Sequence, residues 1–351
     1  MAMSRYKWRL TLKKIANFAV QFTKKPMLSH GPLISVILCV YNVEPYIRRC
    51  ARSVFGQTYP NIDFIFVDDG SPDKSIEILE DILDKEFSHL KQRVTIVRQP
   101  NAGLPGARMA GLKAAKGDYV LFLDPDDWCK TSMVEKLVEA AVNKNADVVV
   151  CNYFNAYRYI VVPRREKKYD DRSSTLRALM CHHHFRGYLW DKLVKRELYQ
   201  DLYDDPAFYF PQECHCEDLV MTAQVVHRAD EIAFIKDRLV YYNKVNPHSA
   251  SKRKRYLQTS EVIHNIMGVF MHYHGSENSP FKGIEEPVLL SVASQIVKIH
   301  APEMFDEYPV IMEVCAPLIE SFPNMRVFKD IPFRTQRKIK EFFRALKDGR
   351  M

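Results

Sequence analysis

Between residues 33 and 151, short apolar runs alternate with segments of helical periodicity, and this alternation restricts the fold more than any other feature. The run at 33–41 is continuous and rich in β-branched residues, as expected of a strand buried on both faces. Further runs predict strands at 63–67, 94–97, 119–123 and 146–151, with helices between them. Repeated strand–helix–strand units indicate an α/β fold with a doubly wound, mostly parallel sheet.

Polar residues follow the first four predicted strands. Tyr41 follows the first, Asp69 the second, Asn101 the third, and Asp124 and Asp126 the fourth. Parallel strands bring their carboxyl ends to one edge of a sheet, which is where such sheets bind ligands. These side chains are therefore expected on one rim.

Three carboxylates, Asp124, Asp126 and Asp127, lie within four positions and repel one another unless a cation binds among them. Hard divalent cations take carboxylate oxygens and complete their shells with substrate phosphates. The pattern predicts Mg²⁺ or Mn²⁺ bridging to a diphosphate, and the alternative is a capped turn before a helix. Asp69 could accept from a ribose hydroxyl or a base N–H, or it could cap a helix. Arg108 could reach a phosphate, pair with an aspartate of the rim or form a surface salt bridge.

No glycine-rich dinucleotide fingerprint and no P-loop lysine motif is present, which argues against dinucleotide dehydrogenases and P-loop NTPases. Five motifs of the first half instead resemble, in combination, those of the family 2 glycosyltransferases of the GT-A fold. They are SVILCVYN at 35–42, QTYP at 57–60, VDDGS at 67–71, NAG with AR at 101–108, and DYVLFLDPDD at 118–127. Weaker matches at 190–198 and 239–249 extend the resemblance into the second half.

The resemblance implies a catalytic domain at about residues 31–250. It would follow a basic amphipathic helix at 1–30 and precede a mostly helical region at 251–351. Asp218, in the pair Glu217–Asp218, would be the general base. The implied donor-binding residues are Tyr41, Asp69, Asn101, Arg108, Asp124 and Lys244, and the implied metal ligands are Asp124 and Asp126, with His248 as an open third ligand. The sequence departs from the family pattern at Lys244, where arginine is usual, and at Asp191, where asparagine is common.

The function implied is inverting, metal-dependent transfer of a sugar from a nucleotide-sugar donor, with UDP the expected nucleotide. The acceptor would be a hydroxyl of a saccharide or a lipid-linked molecule in cell-surface polysaccharide synthesis. One alternative is a sugar-phosphate nucleotidyltransferase, although Tyr41 and its neighbours occupy the place of that enzyme's glycine- and arginine-rich loop. The other is a non-catalytic carbohydrate-binding protein of the same fold. The sequence identifies neither the sugar nor the acceptor.

Basic residues concentrate at the two ends of a chain whose net charge is +8. Residues 1–25 hold seven Lys or Arg and no acid, residues 326–351 hold nine basic and three acidic residues, and both segments carry an apolar stripe. Such helices can lie in the headgroup plane of an anionic membrane. We therefore expect a cytoplasmic protein that is peripheral on the inner face of the membrane through both ends, without a secretory signal. The alternative is terminal helices packed on the domain. A mildly acidic middle does not fit nucleic-acid binding.

The cysteines do not indicate a disulfide framework. Several of the eight lie in apolar runs, which favours a reducing compartment. The clusters at 181–184 and 214–216 combine cysteine with histidine, but their spacing is not that of a standard zinc finger. Loops or an acceptor pocket are the preferred interpretation.

Overall fold

The computed structural model describes residues 31–180, 186–202, 217–247, 249, 255–277, 279–285, 288–289, 291–293, 296, 307–311, 337 and 341. The first strands in chain order are β1 (Ile34–Val40), β2 (Ile62–Asp68), β3 (Val94–Arg98), β4 (Tyr119–Leu123) and β5 (Trp128–Cys129). They are followed by β6 (Val148–Ala156), β7 (Val161–Arg164), β8 (Lys192–Lys195) and β9 (Ile232–Asn243).

Seven α-helices accompany these strands in the described part of the chain. They are α1 (Glu44–Phe55), α2 (Ser75–Glu86), α3 (Gly103–Ala114), α4 (Met133–Lys144), α5 (Arg172–Met180), α6 (Glu217–Arg228) and α7 (Arg255–Tyr273). Short 3₁₀ turns occupy Ser88–Arg93 and Arg196–Leu202.

The strands form one mixed, mostly parallel sheet in the order β3-β2-β1-β4-β8-β6-β9-β5, with β7 paired to β6. Strands β1 to β4 pair in parallel, and so do β6 and β9. Strand β8 lies antiparallel to both β4 and β6. Because β8 is antiparallel to both of its neighbours, β4 and β6 run in the same direction. The carboxyl ends of β1, β2, β3, β4, β6 and β9 therefore face one edge, which we call the carboxyl edge.

The structure confirms the five strands predicted for the first half, although the last runs from 148 to 156 rather than ending at 151. Asparagine is a common helix N-cap, but Asn42, which precedes α1, does not cap it. Asn42 has a left-handed backbone with φ of 53°. The amide of Glu44 donates instead to Asp73 Oδ2 at 2.8 Å, and the amide of Ser75 donates to Asp73 Oδ1 at 3.0 Å. Asp73 therefore caps both α1 and α2.

Helices cover both faces of the sheet. On one face α1, α2 and α4 contribute Ile47, Leu79 and Leu137 to a buried cluster, and on the other α3, α6 and α7 contribute to a second. Helix α3 approaches the sheet closely because its face is made of small residues. A Cβ at Gly111 would lie 2.4 Å from the Ile37 side chain, so the helix backbone rests directly on β1.

Helix α7 belongs to the same packed body as the sheet, since Ile263, Ile266 and Phe270 are buried in the second cluster. The predicted helical character after residue 255 is confirmed over this element. The domain boundary at residue 250 stays a prediction. Among the described helices, none combines the length and the apolar character needed to cross a bilayer.

Candidate active site

Asp69 joins the carboxyl ends of β2 and β3. Its side chain is buried, and Oδ1 accepts hydrogen bonds from Gln99 Nε2 at 2.7 Å and from the amide of Ala102 at 2.9 Å. Gly70 makes the turn possible, because it adopts φ of 68° and a Cβ there would lie 3.1 Å from the Asn101 amide nitrogen. The loops after the two strands are thus held against each other at the rim.

Tyr41 and Asn101 lie at the same edge and are open to solvent. Tyr41 follows β1 and keeps 47% of its surface exposed. Asn101 precedes α3, and its Oδ1 accepts from the amide of Gly103 at 3.2 Å. Both side chains can therefore be reached by a ligand at the carboxyl edge.

Arg108 is enclosed beneath this rim. It lies on the second turn of α3 and is only 3% exposed. Its Nη1 donates to Glu217 Oε1, and its Nη2 lies 3.7 Å from Asp124 Oδ1. Glu217 is the first residue of α6, more than a hundred positions along the chain. One buried guanidinium thus joins the loop after β4 to the start of a helix in the second half.

The electrostatics of this buried pair favour the charged form of Arg108. Burial lowers the pKa of Arg108, but Glu217, Asp124 and Asp218 together raise it further than burial lowers it. Burial raises the pKa of Glu217 to about 8, although the positive charge of Arg108 opposes that rise. The carboxyl of Glu217 therefore titrates close to neutral pH, and without Arg108 burial would favour its protonated form still more.

The acidic segment after β4 is held from the end of β9. Asn246 Nδ2 donates to Asp126 Oδ2 at 2.8 Å, and Asn243 Nδ2 donates to the Asp126 carbonyl at 3.1 Å. The amide of Asn243 donates to Asp127 Oδ1 at 2.6 Å, while Asp127 Oδ2 is buried without a hydrogen-bond partner in the described chain. One backbone amide and two side-chain amides from the end of β9 thus hold the acidic segment.

Crowding and burial shift the acids of this segment toward protonation. Burial raises the pKa of Asp124 to about 6, with Arg108 opposing the rise and Asp126 and Asp218 adding to it. Burial also raises the pKa of Asp126 and of Asp127. Asp124 still keeps about a third of its side chain open to solvent (32%), so a ligand can reach it.

A hard divalent cation fits the donor chemistry of this segment. Asp124 and Asp126 offer carboxylate oxygens whose mutual repulsion a cation would relieve, and Asp127 carries an unpartnered buried oxygen. No group of three His, Cys, Asp or Glu side chains within the described residues is arranged to hold a metal by itself. His248, the open third ligand, lies outside the described residues, as do the clusters at 181–184 and 214–216.

Asp218 stands next to the buried pair, at the second residue of α6. Its Oδ1 accepts from the amide of Leu219 at 2.8 Å. Burial raises the pKa of Asp218 and Arg108 opposes the rise. Asp218 in turn raises the pKa of Asp124, which shows that the two carboxylates share one electrostatic environment.

Gly187 fixes where α6 begins, a role that sequence reasoning did not predict. A Cβ at this position would lie 2.4 Å from Leu219 Cα, so only glycine lets the two backbones touch. The Gly187 carbonyl also accepts from Thr222 Oγ1 at 2.8 Å, one turn into the helix. Because a single glycine in a loop is common, no sequence signal distinguishes this one.

Aromatic rings and Lys244 border the site on the β9 side. Tyr188 stacks on Trp190 with ring centroids 4.5 Å apart, and Trp190 lies 5.3 Å from Tyr242. The ammonium of Lys244 sits 3.9 Å from the centre of the Tyr242 ring. Burial raises the pKa of Asp126, and the hydrogen bond from Asn246 and the charges of Arg49 and Lys244 oppose that rise. Lys244 therefore brings positive charge to the acidic segment.

Asp191, the second departure from the family pattern, forms a fully buried ion pair. Lys192 Nζ donates to Asp191 Oδ1 at 2.7 Å and to the carbonyls of Arg186 and Tyr188 at 2.9 and 2.6 Å. The pair thus holds the backbone on both sides of Gly187.

Comparison with known proteins agrees with this architecture. The family model described as Glycosyl transferase family 2 matches residues 35–210, which is half of the chain. The chain belongs to glycosyltransferase family 2. The resemblance seen in the sequence motifs is thereby confirmed.

Relatives within family 2 include an uncharacterized glycosyltransferase, EpsJ, of Bacillus subtilis, which is 32% identical over 230 residues. The match covers 63% of this chain and 63% of EpsJ, so the chain spans less than two thirds of that relative. Staphylococcus aureus TarS 1-349, solved in complex with UDP-GlcNAc, superposes with a TM-score of 0.57 at 19% identity and covers 90% of this chain and 92% of TarS 1-349. The mannosyltransferase PcManGT of Pyrobaculum calidifontis, solved with GDP-Man and Mn²⁺, gives a TM-score of 0.51 at 17% identity, covering 97% and 92%. These likenesses confirm the predicted GT-A fold.

The family 2 site residues predicted from the sequence form two groups in the structure. Asp124, Asp126 and Arg108 lie with Asp218 around the buried pair, and Lys244 borders them. The loop residues Tyr41, Asp69 and Asn101 form the other group, at the ends of β1 to β3. The individual roles assigned to them stay predictions. Sequence reasoning did not anticipate that Glu217 would be the partner of Arg108, that Asn243 and Asn246 would hold the acids, or that Gly187 would seat α6.

Proposed function

We propose that the protein is an inverting glycosyltransferase that moves a sugar from a nucleotide-sugar donor, expected to be a UDP-sugar, to a hydroxyl of a saccharide or lipid-linked acceptor in cell-surface polysaccharide synthesis. One observation carries the proposal: the buried Arg108–Glu217 pair places Asp124, at the end of β4, and Asp218, at the start of α6, in one electrostatic environment. Donor chemistry and base chemistry are thereby brought together from the two halves of the chain.

The carboxyl edge between β1 and β3 supplies the donor end of the site. Tyr41 and Asn101 are accessible there, and Asp69 is fixed by Gln99. In this proposal these residues contact the nucleotide, and Lys244 supplies positive charge to the phosphates as a point charge rather than as a planar fork. The UDP-GlcNAc bound by TarS supports a nucleotide-sugar donor.

Mn²⁺ or Mg²⁺ would be held by Asp124 and Asp126, with His248 as an open third ligand. When bound, the ion offsets the charge that develops on the leaving diphosphate. The raised pKa of Asp124 supports this assignment, because crowded carboxylates are stabilised by a cation, and PcManGT contains Mn²⁺. The buried guanidinium of Arg108 keeps the Asp124 carboxylate oriented.

Asp218 acts as the base in the transfer step. Its carboxylate accepts the proton of the acceptor hydroxyl as the hydroxyl oxygen attacks the anomeric carbon from the face opposite the leaving group. The new glycosidic C–O bond forms while the bond to the nucleoside diphosphate breaks, and the diphosphate leaves with its electron pair. A single displacement inverts the anomeric configuration. Base catalysis of this kind contributes about 10²–10⁴-fold.

Replacing the proposed base tests this mechanism. Asp218→Asn should abolish transfer and leave nucleotide-sugar binding largely intact, because the substitution removes the basic oxygen and keeps the shape. Asp81→Asn on α2 is the matched control, since Asp81 forms only a surface pair with Lys85. Release of nucleoside diphosphate across a donor panel measures the rate, and NMR of the product gives the anomeric configuration. Near-normal transfer by Asp218→Asn would remove Asp218 from the mechanism.

Metal dependence is tested separately. Excess chelator should stop donor turnover, and Mn²⁺ or Mg²⁺ should restore it. Asp124→Asn and Asp126→Asn should each weaken Mn²⁺ binding measured by calorimetry. Undiminished activity in excess chelator would contradict the metal role of both aspartates.

Location at the inner face of the cytoplasmic membrane is also part of the proposal. The segments 1–25 and 326–351 carry the basic amphipathic patterns that support it. Flotation with anionic liposomes should bring the full chain to the lipid layer. Equal flotation of a chain lacking both segments would show that they are not the anchors.

A further inference from the structure

Exposed apolar side chains concentrate at the carboxyl edge of the sheet. Among the described residues, eight large apolar side chains are exposed, and only Val142 on α4 and Met271 on α7 lie on helices. The other six follow or begin strands at the carboxyl edge: Tyr41, Tyr157, Tyr159, Ile160, Val161 and Val245. Single exposed apolar residues are ordinary, whereas a group of them in one place marks an interaction surface.

Four of the six lie at residues 157–161, which are the turn between β6 and β7 together with the first residue of β7. We call this segment the hairpin tip. The amide of Tyr157 donates to the Ile160 carbonyl at 2.8 Å and closes the turn. Tyr159 is 85% exposed and Ile160 is 61% exposed. The tip therefore presents an aromatic ring and aliphatic side chains to solvent on a hydrogen-bonded hairpin.

Basic side chains lie on the hairpin tip and along the chain behind it. Arg158 lies on the tip, and four exposed basic residues follow from the far end of β7 onward: Arg164, Arg165, Lys167 and Lys168. No ion pair joins these five to a carboxylate in the described part of the chain. Glu166, which lies among them, is turned inward, since its carboxylate accepts from the amide of Arg186 at 2.8 Å. Asp171 is engaged at the start of α5 by Ser174, and Asp170 is an exposed acid two positions after Lys168.

The hairpin tip begins next to the residues that hold the acidic segment. Ala156 pairs with Asn243 across β6 and β9, and its carbonyl accepts from the amide of Lys244 at 2.8 Å. Asn243 is the residue whose amide binds Asp127. A surface that docked on the hairpin tip would therefore lie beside the opening of the site.

We propose that the hairpin tip inserts into the headgroup boundary of an anionic membrane, with Arg158 on the tip and the four basic residues behind it facing lipid phosphates. Exposed tyrosine and aliphatic side chains with basic residues on the adjoining chain are the combination that such a boundary stabilises. A saccharide surface would need carboxylates or amides around an exposed ring, and here the Tyr159 ring is flanked by Arg158 and by aliphatic side chains. This contact is separate from the two terminal segments and does not depend on the proposed transfer reaction.

A tryptophan placed at the tip tests the proposal in the full chain. Tyr159→Trp should show a blue-shifted emission with vesicles containing phosphatidylglycerol, and brominated lipid in those vesicles should quench it. Val142→Trp is the matched control, because Val142 is also an exposed apolar residue (49%) but lies on α4, away from the hairpin tip. Vesicles of phosphatidylcholine alone should produce neither effect.

Two results would overturn the proposal. In the first, both variants bind vesicles but brominated lipid quenches the tryptophan at 159 no more than the tryptophan at 142. Other segments would then hold the protein at the membrane. A blue shift that grows with protein concentration without lipid would mean that a second copy of the chain covers the tip.

Charge removal provides a second measurement. Near an anionic surface each basic residue contributes attraction equivalent to about a fivefold change in partitioning, so Arg164→Gln, Arg165→Gln and Lys168→Gln together should reduce quenching-detected binding of the tip about a hundredfold. The control replaces Lys85, Lys91 and Lys144 with glutamine and changes the net charge by the same amount. Equal loss in the two triple variants would contradict a local contact.

Discussion

Gly187→Ala should slow sugar transfer far more than it weakens the fold, because the added methyl group would push on the residue that follows the proposed base. A Cβ at position 187 would meet Leu219 Cα at 2.4 Å, Leu219 Cβ at 2.8 Å and the Leu219 amide nitrogen at 2.9 Å. Ordinary contacts of a Cβ begin near 3.4 Å, so one of the two backbones must move by about 1 Å.

The size of the expected effect follows from this displacement. The Leu219 amide binds Asp218 Oδ1, so a shift of the first turn of α6 carries the carboxylate with it. Misplacing a reacting group by about 1 Å can cost roughly 10²-fold in rate. Overpacking of this kind destabilises a fold by about 1–3 kcal/mol. We expect kcat to fall about a hundredfold in a protein that still unfolds cooperatively.

The assay compares kcat for nucleoside diphosphate release, the donor KM and the urea midpoint. Gly275→Ala is the control: Gly275 follows α7, a Cβ there meets no atom within 4 Å, and the cost comes from its φ of +75°. A left-handed alanine costs about 1–2 kcal/mol, comparable to the expected cost at position 187. If both variants lost similar stability and both kept the wild-type kcat, the reasoning about Gly187 would be refuted.

Glu217→Gln should destabilise the protein by about 3–5 kcal/mol in urea unfolding, because it removes the carboxyl group that is hydrogen-bonded to the buried Arg108 cation; a loss below 1 kcal/mol would contradict a structural role for the pair. Asp73→Ala should cost about 2 kcal/mol, since it removes the acceptor that caps two helices, whereas Asp73→Asn should cost less. Equal effects of the two substitutions would count against capping. Transfer should be retained above about pH 6 and lost as the pH falls, because burial raises the pKa of Asp124 to about 6 and also raises the pKa of Asp218. Saturating Mn²⁺ competes with protons for Asp124 and should therefore shift this loss of activity to lower pH. If the loss stayed at the same pH, the titrating group would be Asp218 rather than Asp124.

The first half of the fold could be predicted because its signals are local. Strands β1 and β4 are almost wholly apolar, β2 is apolar from Phe64 to Val67, and the helices between them repeat apolar residues at helical spacing. The second half lacks such signals. Strand β8 is four residues with lysine at both ends, and Lys192 is buried only because Asp191 and two carbonyls satisfy it. Its antiparallel insertion between β4 and β6 depends on tertiary pairing that no local pattern encodes.

The candidate site likewise combines features that are local in the sequence with contacts that are not. Asp69, Asp124 and Asp126 could be predicted because they come just after apolar strands. The contacts that organise them join distant positions: Arg108 and Glu217 are 109 residues apart, and Asp126 and Asn246 are 120 apart. From the sequence alone, Arg108 could reach a phosphate, pair with an aspartate of the rim or form a surface salt bridge. The structure pairs it with Glu217 of the second half and places it near Asp124. Spacing cannot reveal pairs that the fold creates across a hundred residues.

The hold of Asn243 and Asn246 on Asp126 and Asp127 has a consequence for biosynthesis. A ribosome releases the acidic segment before it releases the two asparagines, so this segment lacks its donors while the first strands are being made. The segment can form these hydrogen bonds only after residue 246 has emerged. A chain that ends ahead of β9 should therefore lack an ordered acidic segment even where its first four strands have formed.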